Sequence, residues 1–315
     1  MRRLSLLVPP ADAGRRLDLV IAERGGISRG AARRVLDAGG VFLDGRRCKV
    51  FSRGVRPGQR IVVNLEERGR VPEPGPGLHP SRLLFSDGYL AVVDKPAGVA
   101  AQPTLTTDRG ALPELVSALL GAPVLLVHRL DRDTSGVTLF AASRVVASAL
   151  SEAFRAGRPV KTYLALTARA PKPPEGRIES ALAKDPSRPG LRRVAPEGDA
   201  AITRYRTLAN GPGGALVEAR PETGRTHQIR VHLAHLGAPL LGDARYGGPR
   251  RVGEFAVPRV MLHALRLELS HPLTGASLAF SAPLPADFRE AAAALVGPLP
   301  LPGPDRASPR PPALD

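Results

Sequence analysis

Two stretches of the chain concentrate side chains able to do chemistry. The first, HRLDRDTSG at 128–136, lies between the apolar runs 124–127 and 137–140. The second, RPETGRTHQIRVH at 220–232, is as dense in polar groups. Charges at the junction of buried strands must be paired or solvated in a cleft, because an unpaired buried charge is costly. A cleft is the expected answer, although the charge pattern alone also fits a salt-bridged turn at a strand end. Two such clusters in one region point to a shared site. His227, His232 and His235 would suit a metal with Asp131 or Asp133, but bare histidine spacing is a weak signal, and ring nitrogens bonded to backbone or to a bound substrate fit better. Asp133 is expected to pair with a neighbouring arginine such as Arg132 or one in the second cluster. Lys161 reads as a surface charge.

The elements that must position these clusters follow from local pattern. Beyond residue 81 the texture is of short strands at 89–93, 137–141, 162–167, 201–208, 215–219 and 265–269, with helical spacing at 109–120, 143–155 and part of 228–236. This predicts an α+β fold, a mixed, mainly antiparallel and bent β-sheet flanked by helices. Nearer the start, Leu17, Val20 and Ile21 share a helical face that Gly25 and Gly26 end. Ser28 is placed as the N-cap of a second helix with Ala32, Val35 and Leu36 inward and Arg29, Arg33 and Arg34 outward. Arg46 follows in a strand-and-turn segment.

With 315 residues and a net charge of +16, the chain is long enough for one large domain and a smaller companion, and basic enough to favour a polyanionic partner. Residues 1–70 hold 16 Lys+Arg against 7 Asp+Glu, which is +9 of the total. The Pro/Gly run at 71–80 reads as a linker, 81–296 as the second domain, and the Pro-rich 297–315 as a disordered tail. A single cysteine, Cys48, forbids an intramolecular disulfide and is expected to be buried filler. The longest apolar run, 118–127, is too short to span a bilayer, and 4–8 is too short for a signal peptide.

HRLDRDTSG, KTYLAL at 161–166, ETGRTHQIRVHLAHLGAPLLGDARYG at 222–247, DKPAG at 94–98 and the loop at 184–201, in that order, resemble the RluA family of RNA pseudouridine synthases. The likeness covers most of 80–292, and the first 65 residues are similar to the small RNA-binding S4 domain, which makes 1–70 an expected S4-like α/β domain. The resemblance implies that Asp131 is the catalytic aspartate, Tyr163 the tyrosine that stacks on the target base, and Arg230 the arginine that pairs with the aspartate. It also places Arg129 where an arginine fills the helix after the nucleotide is everted. His128, Thr134, Arg225, His227 and Gln228 are the expected substrate-binding residues, and Arg29, Arg33, Arg34 and Arg46 the RNA-binding residues of the small domain. Gln102-Pro103 stands where the family usually has His-Pro.

The implied reaction breaks the bond from ribose to a uracil nitrogen, turns the ring and rejoins it through carbon. Such an isomerisation needs no redox cofactor, nucleotide or metal, and none is expected. The aspartate serves as nucleophile or as base, and either role requires its ionised form, which an arginine partner favours. The detached uracil must be retained while it turns, so an aromatic wall and exclusion of water are needed. Everting a nucleotide costs a few kcal/mol of stacking, which basic surface helps to offset. The expected partner is RNA, ribosomal before transfer RNA, with no membrane, for a cytoplasmic monomer. The competing reading is a non-catalytic RNA-binding or ribosome-assembly factor of the same fold.

Overall fold

The computed structural model describes residues 2–65, 77–103 and 110–298. Of the expected linker at 71–80, residues 71–76 lie outside the described residues, as do 299–315 of the expected tail at 297–315. Two compact units divide the chain, one drawn from 1–78 with 100–121 and the other from 79–99 with 122–315.

In the first unit, helices α1 (Leu17–Gly25) and α2 (Arg29–Asp37) pack with a four-stranded antiparallel sheet of order β1-β4-β2-β3, where β1 is Arg2–Leu7, β2 Val41–Leu43, β3 Arg46–Arg47 and β4 Arg60–Leu65. α1 stops at Gly26, which takes the left-handed conformation (φ 60°) that glycine tolerates without steric cost. Ser28 caps α2 by accepting a hydrogen bond from the Ala31 amide at 3.1 Å, as its position predicts. Leu17, Ile21, Ala32, Leu36 and Ile61 are fully buried between the helices and the sheet, and Cys48 joins that core. Leu4 to Leu7, considered above only as a short apolar stretch, belong to a sheet strand. Helix α3 (Leu112–Leu120) also groups with this unit.

The second unit is built on a ten-stranded sheet. Its main path runs β10-β13-β14-β9-β17-β8-β6-β5, with β18 beside β17 and β7 beside β8. The strands are β5 Leu83–Ser86, β6 Leu90–Lys95, β7 Leu125–Leu126, β8 Ser135–Ala141, β9 Val160–Thr167, β10 Glu175–Glu179, β13 Ile202–Gly211, β14 Gly214–Pro221, β17 Leu262–Ser270 and β18 Ser277–Ser281. Two-stranded ribbons pair β11 (Leu182–Lys184) with β12 (Arg192–Val194) and β15 (Arg251–Val252) with β16 (Phe255–Ala256). Helices α4 (Arg144–Arg155), α5 (Gln228–His235) and α6 (Ala286–Leu295) complete the unit. The fold is α+β and mainly antiparallel, as expected.

Among the described pairs only β8 and β17 run parallel, His263 opposite Ser135 and Ala264 opposite Gly136. At Gly136 the backbone takes φ +113°, and a Cβ there would stand 2.1 Å from the Ala264 carbonyl oxygen. Only glycine permits the approach, and it immediately follows the polar turn at 131–134. One face of the sheet packs Leu164, Leu166 and Leu216 under α6. On a second side of the core, Ala165, Val217 and Ala219 meet Ile229 and Leu233 of α5.

Candidate active site

Asp131 sits in a tight turn at the entry to β8, closed by the Thr134 amide donating to its carbonyl at 3.1 Å. The DKPAG stretch braces this turn. Lys95, fully buried at the end of β6, donates from Nζ to the carbonyls of Pro96 (2.9 Å), Val99 (2.8 Å) and Arg132 (2.9 Å). The Gly98 amide donates to the same Arg132 carbonyl, and Arg132 Nε returns a bond to the Gly98 carbonyl at 2.8 Å. Burial pushes the Lys95 ammonium down to about 7, against the pull of Asp133 and Asp131. From the other side Arg259 donates through Nη1 to the Asp133 carbonyl (3.1 Å) while its Nε and Nη2 grip Asp287 of α6 at 2.6 and 3.0 Å.

Arg230 reaches the aspartate from α5, a helix whose residues from Gln228 to Leu233 are all buried. A guanidinium so placed needs counter-charge, and it has two. Asp243, itself buried, takes Nε at 2.6 Å and Nη2 at 2.9 Å in a two-pronged grip, and Asp131 Oδ2 takes Nη1 at 2.8 Å. Burial works to lower the Arg230 pKa, but the two carboxylates outweigh it and hold the group above its ordinary value. Asp131 Oδ1 accepts no hydrogen bond among the described residues. Tyr163 lies on β9, its Cα partnered by Ala219 and Ala264 on the flanking strands. Burial first, and the Asp131 charge second, push its phenol up, and its hydroxyl makes no hydrogen bond among the described residues.

Of the other expected substrate-binding residues, His227 alone has its side chain facing Asp131, with Nε2 3.9 Å from Oδ2. His128 goes elsewhere. Its ring stacks on Phe154 (centroids 4.8 Å apart), and Nε2 accepts the Leu139 amide of β8 at 3.1 Å, so burial pushes it down to about 3. Gln228 is a buried latch: its side-chain oxygen accepts from Thr223 Oγ1 and the Arg225 amide, and its nitrogen donates to Ile202 O and Thr203 Oγ1. Thr134 is buried in the turn, Arg225 is exposed with Nε on the Ala200 carbonyl, and Arg129 is exposed. Arg225 also lines a pocket of about 160 Å³ with Arg192, Asp199 and Thr226.

Two expectations are corrected. Lys161 is half-buried rather than a surface charge, donating to the Thr223 carbonyl at 3.0 Å, and burial pushes it down to about 8. Asp133 is exposed and forms no ion pair among the described residues; the nearby Arg132 is engaged by Gly98 instead. His232 bonds Thr203 Oγ1 and the Ser180 carbonyl, and no cluster of three His, Cys, Asp or Glu side chains suited to a metal occurs among the described residues. Sequence reasoning missed Asp243, Tyr246 and Arg259. Asp243 and Tyr246 lie inside the quoted 222–247 stretch, and knowing that Arg230 is buried would have demanded a second carboxylate.

In the first unit, Asp18 is fully buried at the start of α1 and collects three guanidinium groups. Arg16 contacts it through Nε at 3.0 Å, Arg29 at 3.2 Å and Arg33 at 3.3 Å, each arginine side chain being about half exposed. Arg16 foremost, then Arg29, holds the Asp18 carboxyl below the usual carboxylate range against the opposing effect of burial. Arg34 and Arg46 are exposed.

Comparison with known proteins agrees with this architecture. Residues 89–235 match the RNA pseudouridylate synthase model, and residues 15–61 match the S4 domain. An RNA pseudouridine synthase of Chloroflexus aurantiacus is 38% identical over 300 residues, covering 90% of this chain and 91% of the relative. The ribosomal large subunit pseudouridine synthase D of Xanthomonas campestris is 33% identical over 308 residues, covering 92% and 91%. Among solved structures, human RNA pseudouridylate synthase domain containing 4 superposes with a TM-score of 0.57 at 29% identity, covering 68% of this chain and 93% of its own. No helix among the described residues is long and apolar enough to cross a membrane. With relatives of this identity matched over nine-tenths of both chains, and with the turn, strand and helix motifs in one site, the chain belongs to the RluA family of RNA pseudouridine synthases.

Proposed function

We propose that the chain converts particular uridines of large-subunit ribosomal RNA to pseudouridine, with Asp131 as the residue that attacks or deprotonates the sugar. One observation carries this reading. Asp131 is a partly exposed carboxylate whose Oδ2 is held by Arg230 while Oδ1 accepts no hydrogen bond among the described residues, and its charge acts on the Tyr163 phenol. A fixed counter-ion on one oxygen orients the other.

The C1′–N1 bond breaks with its electron pair passing to the uracil, the ring turns, and C1′ bonds to C5. The proton that C5 loses is balanced by the proton that N1 gains, so uridine and pseudouridine are isomers. Whether Asp131 bonds C1′ or removes a sugar proton, the same free oxygen acts. Tyr163 offers the retained ring an aromatic face, and Arg129, an exposed residue, fills the space that the everted nucleotide leaves. Arg29, Arg33, Arg34 and Arg46 grip backbone phosphates in the S4 domain. The ribosomal target is favoured because the Xanthomonas relative is named for that substrate. The protein acts as a cytoplasmic monomer without a cofactor.

Pseudouridine is mapped in total RNA from the parent strain, a deletion strain and an Asp131→Asn strain. Loss of the same ribosomal positions in both mutants is expected, and an unchanged map in both defeats the assignment.

A further inference from the structure

His227, the N-cap residue of α5, combines an unusual backbone conformation with several fixed side-chain contacts. It takes φ 58° and ψ 18°, the left-handed region that a side chain disfavours, and among the described non-glycine residues only Asp44 shares a positive φ. Such conformations persist where the surroundings enforce them, and they gather at functional sites. Here the enforcement is visible. Nδ1 lies 2.7 Å from the Tyr246 hydroxyl, the two rings meet edge to face at 79°, and the Arg230 guanidinium lies 5.1 Å from the centre of the Tyr246 ring.

These contacts favour one imidazole tautomer. The Arg192 amide donates to the Tyr246 oxygen at 3.0 Å, which leaves the phenol's own proton available for Nδ1 to accept. The ring proton of a neutral imidazole then sits on Nε2, the nitrogen that faces Asp131 Oδ2 across 3.9 Å. Burial pushes His227 below its ordinary value despite the nearby Asp131, which favours the neutral ring. Nε2–H makes no hydrogen bond among the described residues, and 3.9 Å is too long for one to the carboxylate. A pre-aimed donor therefore stands open beside the Asp131 carboxylate, on its Oδ2 side.

We propose that His227 is a further catalytic residue, donating Nε2–H to the uracil O2 as the glycosidic bond breaks. O2 is the carbonyl adjacent to N1, so it lies next to the carbon that Asp131 engages and shares the charge left on the departing ring. The electron pair of the C1′–N1 bond goes onto the uracil, the proton stays on the imidazole, and the hydrogen bond strengthens as the charge grows. Tyr246 is the positioning residue that holds the tautomer. The inference rests on Asp131 as the reacting carboxylate.

The test is single-turnover conversion of a large-subunit ribosomal RNA transcript by the full-length protein, with binding measured separately. His227→Ala is expected to lower the rate at saturating enzyme about 100-fold while the Kd for RNA stays within about twofold. His227→Gln, whose amide offers an N–H, should recover part of the loss, and Tyr246→Phe should fall between wild type and alanine. Thermal melting checks folding, and if the alanine variant does not fold, the other two variants decide. Wild-type rates in His227→Ala, or a defect in binding alone, overturn the role of His227 when Asp131→Asn is inactive in parallel. Wild-type turnover by Asp131→Asn instead overturns the reading of the site itself.

Discussion

The two units solve opposite problems with the same pair of residue types. In the first, one buried carboxylate, Asp18, gathers Arg16, Arg29 and Arg33, each about half exposed. In the second, a single buried guanidinium, Arg230, is gripped by Asp243 and Asp131. Where aspartate is the minority partner, positive charge is left over and faces water, as a phosphate-binding surface requires. Where arginine is the minority partner, negative charge is left over, and the spare oxygen belongs to Asp131. The roles proposed for the two units, a binding surface and a reacting group, thus turn on stoichiometry more than on the presence of an ion pair.

The sharpest way to break the contrast is Asp243→Asn. It strips the buried guanidinium of its two-pronged partner, and denaturant unfolding should show a loss of about 3–5 kcal/mol together with collapse of turnover. A stability unchanged from wild type would mean that Asp131 alone suffices as counter-ion. Arg230→Lys keeps the charge and removes the fork. Turnover is expected to drop roughly 100-fold with the fold intact, and a near-normal rate would reduce the arginine to a mere charge.

Lys95 supplies an intermediate case, a buried cation held by carbonyls alone. Its ammonium is down at about 7 against 10.5 in an unfolded chain. Between those pH values the unfolded chain binds a proton that the folded one lacks, so stability from this group rises with pH across the window. Turnover should move the other way, declining a few-fold above pH 7, because a neutral amine has two N–H groups for three carbonyls. A pH–rate profile without that limb in the wild type, or one that keeps it in Lys95→Met, removes the residue from the explanation.

The smallest effects belong to the first unit. Asp18→Asn removes a negative charge from a basic segment, which by charge alone would tighten RNA binding. The clamp instead predicts binding weaker by roughly two- to tenfold, and tighter binding would show that the three arginines need no organiser. Arg29→Ala should reduce the slope of log K against log salt by about 0.7–0.9, uniformly over RNA sequences.

What could be read from the sequence was whatever short-range chemistry dictates. Ser28 and Gly26 bracket their helices because capping depends on a few neighbouring atoms, and the strands flanking the site were found within two or three residues of their ends. Long-range demands were not visible. His128 looked like a substrate contact because it adjoins Arg129 and Asp131, yet the edge of β8 claims its ring. Gln228 was expected to bind substrate, and its four hydrogen bonds instead anchor the start of α5. Helix α6 was overlooked although Phe288, Ala291, Ala292 and Leu295 recur at helical spacing, since alanines contrast weakly with their surroundings. Asp243 is separated from Arg230 by a helix end and a loop, and no local rule joins them.

Arg259 and the parallel pairing of β8 with β17 carry a consequence for the order of synthesis. The turn bearing Asp131 is fastened to segments that leave the ribosome more than a hundred residues later, Ala264 beside Gly136 and Asp287 through Arg259. A growing polypeptide therefore cannot lock that turn until α6 has emerged, and closure over so long a separation is slow. The Asp131 turn is thus expected to order only after the residues of α6 have been made.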